Sequence, residues 1–251
     1  MKRSEGELEP LGSDRTRGRS AGVARLLAVV VACSLTANAV SAVQAESTVV
    51  QDFRLWSPVY VTVPLSRSFI GYMEVNPRFG DDVSELNQLL LRPAIGYKLT
   101  DHWSLWQGYA WVGNYQPVFS EEHRVFQQLI YSRKFPISKL LSRSRLEERI
   151  IENADGTAIR ARTLLRGDFP LPQAPAWAIV AYDEIFVNLN TVGNGPEAGL
   201  DQNRFFLGMN RKFGENFNVD LGYQVQAINN RQSGLINQIN HVILLQMFIN
   251  L

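Results

Sequence analysis

Arginine and glutamate have the most capacity for chemistry in this sequence, and their spacing is regular. In Arg143-Ser-Arg145-Leu-Glu147-Glu-Arg149 every second residue is charged, and Arg160-Ala-Arg162-Thr-Leu164-Leu-Arg166 again sets cations on alternate positions. A period of two puts such residues on one face of a strand. On neighbouring strands the two runs would face each other, with Glu184 and Arg204 nearby. Adjacent arginines repel unless carboxylates or bound anions compensate. Two chemistries follow: a salt-bridge network that plugs a narrow interior, or a cationic lining that selects small anionic solutes. The candidate interior charge network comprises Glu74, Arg78, Arg92, Arg124, Arg143, Arg145, Glu147, Arg149, Arg160, Arg162, Arg166, Glu184 and Arg204.

Catalytic and metal patterns are weaker. His102, His123 and His241 are far apart and fall near expected strand ends or loops, so they are expected to be interfacial or solvated. No paired-cysteine, His-Glu-x-x-His or acidic-loop spacing occurs, and no cofactor is implied. Gly193-Asn-Gly195-Pro-Glu-Ala-Gly199 lacks the lysine and the strand-to-helix setting of a phosphate loop, so it is expected to be an external loop. The enzymatic alternative is a lipid-modifying hydrolase, a barrel lipase or deacylase, with His123 beside Ser120 and Glu121. Nothing like Gly-x-Ser-x-Gly supports it.

The elements that must position these groups are strands. Period-two segments recur near 68–79, 87–99, 102–112, 122–134, 143–152, 157–168, 176–188, 201–213, 216–229 and 238–250, with a short turn of helix expected at Ile137–Leu141. Thr100-Asp101, Asn153-Ala154-Asp155-Gly156, Phe169-Pro170-Leu171-Pro172 and Gly214-Glu215-Asn216 separate them. Such lengths match strands that cross a bilayer at a tilt. Arg92, Ala94 and Gly96 share one face opposite Leu91, Pro93, Ile95 and Tyr97, whereas a soluble core would want bulk beside its apolar residues. Aromatics gather at segment ends: Trp103, Trp111, Tyr131, Phe135, Phe169, Trp177, Phe213 and Phe217. These features favour a membrane barrel, apolar outside and polar inside, over a soluble β-barrel or sandwich.

Short connections alternate with longer ones. Taking Pro64–Ser68 as a short periplasmic turn requires an earlier strand within Glu46–Trp56 and a reversal at Ser57-Pro58. The expected architecture is an all-β transmembrane antiparallel up-and-down barrel of about twelve strands with both termini periplasmic, or ten strands if 59–65 is too short.

Residues 1–45 read as a signal peptide with an extended start. Arg15, Arg17, Arg19 and Arg25 precede the apolar run at 26–32, and small residues precede a cleavage site after Ala45. A membrane anchor is disfavoured by Asn38, Thr36 and the serines, while acylation of Cys33 in a lipobox is a further alternative. The expected location is the Gram-negative outer membrane, with outer-membrane lipids and the barrel-assembly machinery as partners. The whole sequence of 251 residues carries a formal charge of only +1, which argues against a nucleic-acid partner. Its single cysteine allows no internal disulfide.

Several segments occur together in order: Leu91-Arg92-Pro93-Ala94-Ile95-Gly96-Tyr97, Gln107-Gly108-Tyr109-Ala110-Trp111, Arg124-Val-Phe-Gln127-Gln128-Leu, the run from Arg143 to Arg149, Tyr182-Asp-Glu184-Ile-Phe186-Val-Asn188 and Gln202-Asn-Arg204. Through them the sequence resembles the DUF2490 family of exported bacterial proteins of unknown function, over nearly all of residues 46–251. The resemblance implies an outer-membrane-type β-barrel and supplies no reaction. Leu251 departs from the usual terminal aromatic, and Phe248 lies on the opposite face. The expected role is structural or that of a narrow solute pathway.

Overall fold

The computed structural model describes residues 49–229 and 236–251. The expected leader, its cleavage after Ala45 and the acylation of Cys33 lie outside the described residues. The described chain forms β1 (Val50–Trp56), β2 (Val59–Pro64), β3 (Phe69–Gly80), β4 (Glu85–Lys98), β5 (Trp103–Asn114), β6 (Ser120–Phe135), β7 (Ser138–Ile151), β8 (Thr157–Leu171), β9 (Ala174–Asn188), β10 (Gly199–Phe213), β11 (Phe217–Ile228) and β12 (Gln238–Asn250). No helix occurs among the described residues. Of the helical turn expected at Ile137–Leu141, Ile137 lies in a hairpin turn and the rest begins β7. Phe135 pairs with Ser138 across Pro136-Ile137, a tight turn whose proline presets the required φ.

Strands β2 to β12 each pair antiparallel with the next, and β12 closes the cylinder by pairing in parallel with β2. The closed barrel therefore has eleven strands, with β1 as an extra one. The reversal expected at Ser57-Pro58 does not occur. Val50 pairs with Gln238 and Val59 with Met247 at one constant offset, so β1 and β2 lie end to end along β12. Their other edge keeps a single register on β3, with Leu55 opposite Phe79 and Val59 opposite Val75. Hydrogen bonds continue through the break: Ser57 N–H donates to the Pro77 carbonyl at 3.2 Å, and Met247 N–H to the Pro58 carbonyl at 2.9 Å. Proline lacks an N–H, but its fixed φ fits an extended chain, so Pro58 interrupts the ladder without turning it.

An odd barrel also separates the two ends of the described chain. Val50 bonds to Asn237 at the rim of longer loops, whereas Leu251 bonds to Thr62 at the rim of short turns. The even strand count expected from the sequence would place both at one rim. The short-turn rim carries the connections after Pro64, Lys98, Phe135, Leu171 and Phe213. At the opposite rim, a bridge between Asp155 and Gly193 ties the β7–β8 turn to the β9–β10 loop.

The strands are inside-out relative to a soluble protein. On β7 the side chains of Arg145 and Glu147 are buried while Leu146 and Ile150 are exposed. On β10 Arg204 and Phe206 point inward while Leu207 and Met209 point out. The small inward residues have a packing reason. A Cβ on Gly108 would lie 2.2 Å from the Phe126 ring, and one on Gly96 2.5 Å from the Trp106 indole. Bulky aromatics thus cross the interior directly over glycine.

One arrangement occurs twice, six strands apart. Tyr72 and Glu74 on β3 have Arg92 opposite the glutamate, and Tyr182 and Glu184 on β9 have Arg204 opposite theirs. The following strand carries Gly108-Tyr109 in one case and Gly222-Tyr223 in the other. Each tyrosine hydroxyl meets Nδ1 of a histidine on the next strand, His123 or His241. Further along those strands Gln128 and Gln246 are both buried inside.

Candidate functional site

Strands β6 to β10 position the densest charge. Glu147 is fully buried between three arginines: Oε1 accepts from Arg162 at 2.8 Å and Arg145 at 3.3 Å, and Oε2 accepts from Arg160 at 2.7 Å. Arg145 lies directly opposite Arg162, and Glu147 opposite Arg160. Glu184 accepts from Arg162 at 2.8 Å and Arg143 at 2.7 Å. Toward the long-loop rim, Glu122 binds the fork of Arg124 at 2.7 and 2.8 Å and also accepts from Arg149. Arg166 reaches Asp220 at 2.6 Å and Asp168 at 2.8 Å. Arg92 pairs with Glu74, which also accepts from Tyr72 at 2.9 Å and Asn76 at 3.1 Å. All thirteen residues named from the sequence face the interior, and eleven of them are tied into these ion pairs.

Arg78 and Arg204 differ. Arg78 donates to Gln88 at 2.7 Å and Asn76 at 3.4 Å, and Arg204 to Gln202 at 3.2 Å. Neither forms an ion pair with a carboxylate among the described residues. Both guanidinium carbons instead lie over the buried indole of Trp56, at 4.1 Å for Arg78 and 4.9 Å for Arg204. Arg204 also lies 4.6 Å from the Phe186 ring.

Sequence reasoning missed the interior aromatics and four carboxylates. Phe126 lies 4.3 Å below Arg145, and Phe186 4.3 Å below Arg162, where planar guanidinium stacks well on a ring. Glu122, Asp168, Asp201 and Asp220 supply charge the arginines need; Asp201 accepts from Arg160 at 2.8 Å. The signal was present: Glu122 and Phe126 share alternate positions with Arg124, as Asp168 does with Arg166. The recurrence of Tyr-x-Glu, Gly-Tyr and histidine in one order was also legible as an internal repeat.

A cavity of about 770 Å³ occupies the interior on the short-turn side. Lys134, Lys139 and Lys212 stand at its mouth, and its wall runs past Arg143, Arg166 and Tyr182 to Trp56, Arg78 and Arg204. Leu164, Leu244 and Phe248 give it an apolar side. Beyond it, Glu122, Arg124, Glu147, Arg160 and Asn240 fill the long-loop half, each under 8% exposed.

The histidines lie apart from this interior. His123 and His241 are on the outer face against Tyr109 and Tyr223, and His102 is in the β4–β5 turn. Ser120 faces inward, where Asn114 approaches its hydroxyl at 3.5 Å, so it lies on the opposite face of β6 from His123. That pair cannot exchange a proton as nucleophile and base.

Two comparisons bear on the chain. The sequence profile of a family described as "Protein of unknown function (DUF2490)" matches residues 53–237. An uncharacterised protein of Methylorubrum extorquens is 34% identical over 207 residues, covering 80% of this chain and 88% of the relative.

Proposed function

We propose that the chain, which belongs to the DUF2490 family of proteins of unknown function, is an outer-membrane β-barrel held shut across its long-loop half by its arginine–carboxylate network. The inverted distribution of side chains carries this reading. Glu147 and Asp220 inside are 0% exposed, while Ile95 and Leu221 outside are 56% and 55% exposed. Water makes a continuous apolar outer wall unfavourable, whereas hydrocarbon makes it the stable surface. Aromatic pairs at the short-turn rim support the same reading. Phe69 meets Tyr97 at 5.1 Å, Trp103 meets Tyr131 at 4.8 Å and Phe213 meets Phe217 at 5.5 Å, as an interfacial girdle would arrange them.

Outer-membrane barrels keep short turns on the periplasmic side, so the cavity mouth faces the periplasm in this reading. The outer-membrane lipids are then the solvent of the outer wall, and the barrel-assembly machinery inserts the chain. An eleven-stranded barrel has a narrow interior compared with a sixteen-stranded porin, and here the network occupies half of it. The role is structural, with no steady diffusion path.

Electrophoresis of the membrane fraction with and without boiling tests placement and fold together. A folded barrel migrates differently before boiling, and recovery in the soluble periplasmic fraction would overturn the reading. Planar-bilayer recording tests closure. The expected result is no steady conductance; anion-selective current that falls in Arg145→Gln and Arg162→Gln would make the barrel a narrow anion pathway instead.

A further inference from the structure

We propose that the cavity behind the short-turn rim is a binding site for a small oxyanion-bearing solute, held between Arg78, Arg204 and the Trp56 indole. Three independent observations converge there. Most interior arginines hold a carboxylate, but Arg78 and Arg204 hold none among the described residues, although both line the cavity. Arg204 is buried and Arg78 half-buried; a cation withdrawn from water is stable only when paired or well hydrogen-bonded, so these two are complementary to an incoming anion.

The second observation concerns unused hydrogen bonds. Trp56 Nε1, Arg92 Nε and Gln224 Nε2 are buried and have no hydrogen-bond partner among the described residues, and all three residues line the cavity. Every one of these atoms is a donor. The unpartnered acceptors, Asn188 Oδ1 and Asn229 Oδ1, belong to residues outside the lining. A site deficient only in acceptors is completed by a group that supplies them, as carboxylate and phosphate do.

The third is the approach. Lys134, Lys139 and Lys212 outnumber the carboxylates Asp168 and Glu215 at this end of the lining, and an excess of positive charge concentrates anions at an entrance. The apolar side formed by Leu164, Leu244 and Phe248 leaves room for an organic part beside the acid group. The site does not depend on a membrane around the barrel, because every contact is interior.

The test is calorimetric titration of the folded full-length chain in detergent at constant ionic strength, with inorganic phosphate, benzoate and uncharged benzamide as probes. Phosphate or benzoate is expected to bind at least tenfold more tightly than benzamide. Phosphate binding identifies a mineral or phosphoryl group, and benzoate binding alone identifies an organic carboxylate. Arg78→Gln and Arg204→Gln are each expected to weaken binding at least tenfold, and Trp56→Phe several-fold, because it removes one donor and keeps the ring. Neither arginine variant orphans a carboxylate, so their unfolding midpoints should stay level or rise, unlike Arg162→Gln. Equal binding of benzamide, no binding of either anion, or unchanged affinity in folded Arg78→Gln and Arg204→Gln would overturn the proposal. Boiled and unboiled mobility of the same preparation shows that the barrel is folded, and fractionation of the cell envelope separates this failure from failure of the membrane reading.

Discussion

Arg145 and Arg162 stand directly opposite each other on β7 and β8, and both guanidiniums donate to the same oxygen of Glu147. Two like charges in that position would push the strands apart. The carboxylate between them converts the repulsion into a clamp. Arg160 completes it from the other oxygen.

Removing that charge should be costly. Glu147→Gln leaves the buried Arg145 with no carboxylate and Arg160 and Arg162 with one each, and breaking a buried pair costs about 3–5 kcal/mol. The expected loss is of that order, read from the urea midpoint of the folded barrel. Glu148→Gln, on the exposed face of β7, should change stability by no more than about 0.5 kcal/mol.

The outer wall gives a separate prediction about its solvent. Leu221 is exposed midway along β11. With hydrocarbon outside, Leu221→Arg should destabilise the barrel by about 2–4 kcal/mol in lipid vesicles. A change within about 0.5 kcal/mol, as for a water-facing position, would count against lipid contact.

Continuity of β1 with β2 can be tested by cross-linking. Phe53 pairs with His241 and Val61 with Ile249 on the same two neighbouring staves. With Cys33 replaced by serine, the pairs Phe53→Cys/His241→Cys and Val61→Cys/Ile249→Cys should each oxidise to a disulfide. A hairpin at Ser57-Pro58 could not place both β1 and β2 beside β12, so only one pair would close.

Glycine under the aromatics makes a further prediction. Gly108→Val sets a side chain where the Phe126 ring already lies and should cost about 1–3 kcal/mol by overpacking. In a Phe126→Ala background the same substitution should cost distinctly less. Thermal unfolding of the four proteins in this double-mutant cycle gives the coupling directly.

The positions of β3 to β12 were legible because a strand's two faces alternate every residue, and long runs such as Arg143 to Arg149 write that period in charge. The inward direction of the arginines was suggested by Ala94 and Gly96, small residues on the charged face. The join at Ser57-Pro58 is not legible in this way. An even strand count with Pro64–Ser68 as a periplasmic turn demands a reversal there, and only pairing on both flanks with β12 and β3 reveals an uninterrupted path.

The sequence alone determined the all-β character, the approximate strands and the set of charged residues sharing one face, since each follows from local periodicity. Tertiary structure decided the eleven-fold closure, the opposite rims of Val50 and Leu251 and the partner of each interior arginine. Those depend on which distant strands become neighbours, as when Arg166 on β8 finds Asp220 on β11 across the interior. It also decided which cations stay unneutralised. Arg78 and Arg204 look like every other arginine in the sequence until the barrel closes and brings both to Trp56.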